Sequence, residues 1–338
     1  MAILHVGRHS RGMRGVLALC LAVGCGDNAT DCGYSHVLTQ LRNIWAGQLA
    51  VGDANVYYSD YDVDGAGTHV VFRQPRNGSP EIAIGVRPVN HAFGFGMAVD
   101  DTYIYWTAQA DPTGYALFAT PLEGGRALQI ATLPSCDPHG LAADARYRYA
   151  GWARCNNGGS DVPAAVIAVA GDGTATKIWE SSTADVEELA TRDGTLFIAT
   201  TGGLYRVAGT DTMLLEGTST HRVQLMADEV VYSTDEGIFA RPLGGGLARR
   251  LYTFATASDE PRAFAIDDAG LYVSEPPRIV YVANGGEPVP VVENPGSGIA
   301  HLIARDHDVY WSANAMFGSP GTPYSFSGGV MRATAPCM

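Results

Sequence analysis

Three carboxylates fall within five residues in the run Asp60-Tyr61-Asp62-Val63-Asp64, and Gly65 follows them. This spacing puts hard oxygen ligands on one side of a tight loop, with glycine allowing the bend, and such ligands suit Ca²⁺. The ninth position is Thr68 and the twelfth is Val71, where a bidentate glutamate would complete a strong site. Two readings stay open: a weak calcium site on Asp60, Asp62 and Asp64, and a solvated acidic turn. A second group is scattered: Gln48, His139, Glu187, Glu188, Gln224, Arg262 and His301. If His139, Glu187, Glu188 and His301 converged, they could hold a metal or act as acid and base. Convergence of the whole group would equally suit a polar ligand. No nucleophile elbow and no glycine-rich phosphate loop is present. With 22 basic against 35 acidic residues, a net charge of −13 argues against a nucleic-acid partner.

Residues so far apart meet only if the chain returns repeatedly to one axis, and the sequence does repeat. GMAVDDTYIYW at 96–106 parallels AFAIDDAGLYV at 263–273, HLIARDHDVYW at 301–311 and QLAVGDANVYY at 48–58. Fainter copies run at 140–150, 188–198 and 224–233. Equivalent positions are Ala50, Ala98, Ala142, Ala190, Met226, Ala265 and Ile303, spaced by 36 to 48 residues with a mean near 42. Each unit reads as an apolar strand, an acidic turn, an aromatic strand such as 103–107 and an alternating strand such as 116–121. A Gly-rich turn and a fourth strand such as 128–132 complete it. Four short strands every 42 residues make a β-propeller blade. The expectation is an all-β, seven-bladed propeller of four-stranded antiparallel blades over residues 35–338.

The last unit stops after three strands, and a strand-like segment at 35–42 is left over. It would supply the outer strand of the seventh blade and close the ring between the two chain ends. Loops entering the first strands then share one face with loops joining second to third strands. The scattered polar group lies at those entrances, with His91 and His221 in the preceding loops, and would rim a central channel. Asp100-Asp101 and Asp267-Asp268 recur on the opposite face, which marks turn chemistry. Tyr57-Tyr58, Tyr105-Trp106 and Tyr310-Trp311 read as inter-blade core.

The six cysteines bear on the same map. Cys20 lies in an N-terminal targeting segment, and Cys25 ends it. Cys32, Cys136, Cys155 and Cys337 allow three pairings. The strand order brings the ends at Cys32 and Cys337 together, and likewise those at Cys136 and Cys155, so two disulfides are expected. Four buried free thiols are the alternative.

The Asp-x-x-x-Tyr-Trp-Thr core resembles the YWTD and NHL groups of propellers over about residues 35–335, which implies the same architecture. YWTD propellers have six blades, so the seven counted here depart from that group. The acidic run resembles the first half of an EF-hand loop and the calcium hairpins of integrin-type propellers. The funnel is similar to that of streptogramin lyase propellers in using His and Glu at the mouth. At the N-terminus, Arg8, Arg11 and Arg14 precede an apolar run at 15–24. Ten residues suit a signal-peptide core and fall short of a membrane span. Residues 21–25, LAVGC, resemble a bacterial lipoprotein signal. That resemblance implies removal of residues 1–24, a lipid on Cys25, and a short linker at 25–34. Ordinary cleavage after Gly24 stays open, as does a start at Met13. The expectation is a bacterial cell-envelope protein held to the membrane by lipid alone, binding a protein, peptide or glycan. An envelope lyase or hydrolase with a metal in the funnel is the rival.

Overall fold

The computed structural model describes residues 35–41, 49–61, 68–88, 93–111, 114–254, 263–283, 286–293, 295, 299, 301–317 and 325–334. Among them are thirty strands and no helix. Seven four-stranded antiparallel sheets follow one another along the chain. Blade four shows the pattern: Val186–Arg192, Thr195–Thr200, Gly203–Ala208 and Asp211–Glu216. Its first turn is Asp193-Gly194, both at positive φ (51° and 75°), which suits the twist of a tight hairpin. Ala190 pairs with Phe197 there, and Ala50 with Tyr57, Ala98 with Tyr105 and Ala265 with Tyr272 in other blades.

The second strands are buried on both faces because each blade packs between two others. Trp106, Trp311, Tyr58 and Tyr310 are fully buried. One core cluster joins Ala50, Tyr57, Val71 and Ile84 of blade one to Met97, Trp106 and Phe118 of blade two. Another joins Tyr58 of blade one to Tyr310 and Val330 of blade seven. The aromatic pairs are therefore the wedges between blades.

The ring closes as the repeat requires. Ser35–Leu41 pairs with Ser325–Thr334, from Ser35 opposite Ala333 to Leu41 opposite Gly328. Cys25, Cys32 and Cys337 lie outside the described residues. The Cys136–Cys155 bond is present, with Cα atoms 5.5 Å apart. Two details differ from the sequence expectation. In blade five the partner of Val231 is Gln224, so Gln224 and not Met226 occupies the Ala50 position. The acidic pair of this blade, Asp228-Glu229, lies two residues later in its turn than Asp100-Asp101 does, and matching acid to acid moves the register by two. Blade three carries an extra hairpin, Cys155–Asn157 with Ser160–Val162, between its second and third main strands.

Acidic turns latch the blades at the end where inner and second strands meet. Asp100 accepts bonds from the Thr102 and Tyr103 amides and the Tyr105 hydroxyl, then from Arg148 of blade three at 2.9 Å. Asp144 likewise takes the Thr191 hydroxyl of blade four at 2.8 Å. Asp267 takes the His307 amide of blade seven. Across the closing seam, Arg76 of blade one donates to Tyr310, to Asp306 at 2.6 Å and to buried Asp308 at 3.3 Å.

Candidate functional site

The inner strands begin irregularly in blades three and four, and this aims side chains at the axis. In blade four Val186 pairs with Thr200 and Glu188 with Ala199, leaving Glu187 in a bulge. In blade three Pro138 pairs with Trp152 and Leu141 with Ala150, leaving His139 and Gly140 out of register. An extra residue in a strand re-aims its neighbours. Glu187 and Glu188, adjacent in sequence, therefore both line the channel.

One ring of positions lies two residues before the Ala50 equivalents. It holds Gly96 and Gly140 in blades two and three, then Glu188, Arg222 and His301 in blades four, five and seven. The glycines have φ of +130° and +74°. A Cβ on Gly140 would meet Leu189 at 2.9 Å. Close approach of neighbouring inner strands thus excludes side chains on that side, while the other side is charged.

The channel encloses about 520 Å³. Leu49, Met97 and Leu141 form its apolar part; His139, Glu187, Glu188, Arg222, Gln224 and His301 form its polar part. Glu188 accepts the Val223 amide at 2.8 Å and stands 3.9 Å from the Arg222 guanidinium. Gln224 spans the axis. Its Nε2 donates to the Phe264 carbonyl at 3.0 Å and the Leu302 carbonyl at 3.4 Å, and its Oε1 accepts the Ile266 amide. It satisfies inner-strand groups that have no sheet neighbour. Gln224 therefore lines the channel and at the same time braces the inner strands of blades six and seven.

These groups are half-buried by surface, because their tips face the channel, yet protein surrounds them. Burial lowers His139, and nearby Asp137 and Asp185 offset this only in part. Burial, then the Arg222 charge, pulls His301 from its ordinary 6.5 to about 3. Burial raises both Glu187 and Glu188, against the pull of Arg222. Among the described residues, no three His, Cys, Asp or Glu side chains gather as a set that could hold a metal ion. His139, Glu187, Glu188 and His301 stand around the channel without forming such a set.

Beside the mouth, Arg154 grips Asp185 through both carboxylate oxygens, each at 2.9 Å, and its amide adds a third bond at 2.8 Å. The pair ties the loop after Trp152, next to the disulfide, to the entrance of blade four, and a cleft of about 770 Å³ lies against it. His221 pairs with Asp235 at 2.7 Å. Sequence reading missed Arg222, Arg154 and Asp185. Seven residues separate the Ala50 position from an aromatic partner in the other six blades, but in blade five that partner is Val231, so the pattern does not mark Arg222. Gln48, His91 and Arg262 lie outside the described residues, as do Asp62, Asp64 and the side chain of Asp60, so the acidic run is not placed.

No protein-family model matches the sequence, and no curated protein matches it. Solved structures do. The crystal structure of Saccharomyces cerevisiae Sqt1 aligns with a TM-score of 0.56 at 10% identity, over 87% of this chain and 96% of that one. The AfRom2 CNH domain aligns at 0.54 and 13% identity, over 90% and 100%. PorZ, a bacterial surface component of the type-IX secretion system of Porphyromonas gingivalis, aligns at 0.54 and 11% identity. That match covers 86% of this chain and 39% of PorZ. At these identities the likeness is one of fold.

Proposed function

We propose that this chain is an exported propeller that serves as a binding or scaffold module, taking a protein, peptide or glycan at the mouth of its channel. One observation carries the reading. Ionisable side chains line the axis where the inner strands begin, whereas at the far end the acidic turns are occupied in joining blades. Propellers commonly place ligands in such a funnel of convergent polar groups. The N-terminal signal supports export, and Cys25 supports a lipid tether. Cys25→Ser would then move the protein out of the membrane fraction. The acidic run Asp60, Asp62 and Asp64 supports a calcium-stiffened loop on the same face. Millimolar calcium, and not sodium chloride of equal ionic strength, would then raise Tm.

The binding reading is tested on peptide and glycan arrays with the purified protein and its Glu188→Gln/Arg222→Met variant, in which both members of the channel pair are removed together. Hits that weaken at least tenfold in the variant support the channel mouth. Hits of unchanged strength place binding elsewhere.

A further inference from the structure

The charges around the mouth do not balance, and the imbalance names a ligand class. Asp185 is paired with Arg154, Glu188 with the Val223 amide and Arg222, and Asp235 with His221; Asp137 accepts the Tyr115 hydroxyl. Among the described residues, Glu187 makes no hydrogen bond and no ion pair. It sits in a strand bulge, so it serves no sheet pairing, and it lines the cavity. A half-buried carboxylate left without a partner is costly unless something supplies one. His139 and His301 are kept from charging by burial and so do not supply it. The chain as a whole carries −13, which draws cations towards a funnel of this kind.

We infer that the channel mouth receives an organic cation, the ammonium or guanidinium of a lysine or arginine side chain on a partner protein, with Glu187 as its counter-ion. The inference rests on the channel mouth being the binding site. One carboxylate does not provide the six to eight oxygens that calcium takes. An alkyl-ammonium fits better, because Leu49, Met97 and Leu141 cover its methylene stem while the charged head reaches Glu187. Arg222 stands 3.9 Å from Glu188, and its charge and that of His221 offset the burial of Glu187 only in part, so the carboxylate is left open to a further cation.

The test uses three capped tripeptides of the form acetyl-Gly-X-Gly-amide, with lysine, norleucine or glutamate as X, and n-butylammonium as a fourth probe. Binding is followed by NMR titration of the full-length protein. The lysine peptide should bind at least tenfold more tightly than the norleucine peptide, and Glu187→Gln should abolish that preference without lowering Tm. Tighter binding of the peptide than of n-butylammonium points to a partner's side chain; equal binding points to a free amine, and both keep the cation. Equal binding of lysine and norleucine, a preference that survives in Glu187→Gln, or preference for the glutamate peptide would overturn the inference. If array hits are still lost in Glu188→Gln/Arg222→Met, the binding site stands and only the cation falls.

Discussion

At one end of the ring Asp100 accepts four hydrogen bonds; at the other Glu187 accepts none among the described residues. Both carboxylates are partly buried, and burial pushes both upward. At Asp100 the Tyr105 hydroxyl, the Tyr103 and Thr102 amides and Arg148 outweigh burial and hold the carboxyl below its ordinary value. At Glu187 the charges of His221 and Arg222 only offset burial, and the carboxyl stays raised. The same chemistry therefore joins blades where partners are built in and waits for a ligand where they are not. The repeat explains the division. Every blade needs a turn after its inner strand, so latching residues recur, while the entrances vary from glycine to Glu188, Arg222 and His301.

The seam between blades seven and one should give the largest effect. Asp308 is 3% exposed and accepts from Arg76, Arg332, Tyr310 and Thr334. Asp308→Ala takes the counter-ion from half-buried Arg332, leaves Arg76 with Asp306 alone, strands the Tyr310 and Thr334 hydroxyls, and should cost about 3 kcal/mol in urea unfolding. Ligand binding by the remaining folded protein should not change. A variant of normal stability that had lost binding would break the division between the two ends.

The disulfide near the mouth comes next. Cys136 and Cys155 are 19 residues apart, and the chain-entropy model gives about 3 kcal/mol for a loop of that size. Cys136→Ala/Cys155→Ala should lose stability of that order by chemical denaturation, and an equal stability of the two proteins would remove the staple from the account. The second disulfide expected from the sequence, Cys32–Cys337, is checked separately: thiol alkylation before and after reduction should show a mass shift at both cysteines, and alkylation without reduction would remove that bond from the account.

Acid should separate the two ends. His301 prefers its neutral form in the fold, with its value pulled from 6.5 to about 3. Its contribution is intact above 6.5 and is lost as pH falls towards 3, because the unfolded chain takes the proton first. Asp100 and Asp144 are lowered, so their contribution is present above the ordinary 3.8 and lost only as pH falls through their folded values. A plot of Tm against pH should therefore flatten between 6.5 and 4 in His301→Gln and only below 4 in Asp100→Asn. Identical profiles in the two variants would contradict the assignment.

The smallest effect sharpens the contrast most. Glu187→Gln should not lower unfolding free energy and should raise it slightly, because it removes a half-buried charge that has no partner among the described residues. A loss beyond 2 kcal/mol would show that Glu187 belongs to the structure after all.

Much of this was legible in the residues. The apolar-acidic-aromatic signature counted seven blades and placed the closing strand, because each copy must bury the same wedge. The Cys136–Cys155 bond followed from the strand map, and the role of Asp100 and Asp267 followed from recurrence. Less legible was anything set by a break in the repeat. The bulges at His139 and Glu187 depend on how neighbouring inner strands crowd, and no local pattern records that. Blade five carries its acidic pair as Asp228-Glu229, two residues later in the turn than Asp100-Asp101, so matching acid to acid shifts the register by two and hides Arg222. Gln224 was named for its polarity, but its task, bracing backbone groups of blades six and seven across the axis, belongs to tertiary structure.

The most direct test of the division is amide hydrogen exchange on the protein bound to its strongest array hit. The account predicts slowed exchange at residues 139–141, 186–189, 222–224 and 301–303, with no change at the acidic turns around Asp100, Asp144 and Asp267. Protection at those turns, with the channel mouth exchanging as it does in the free protein, would contradict it.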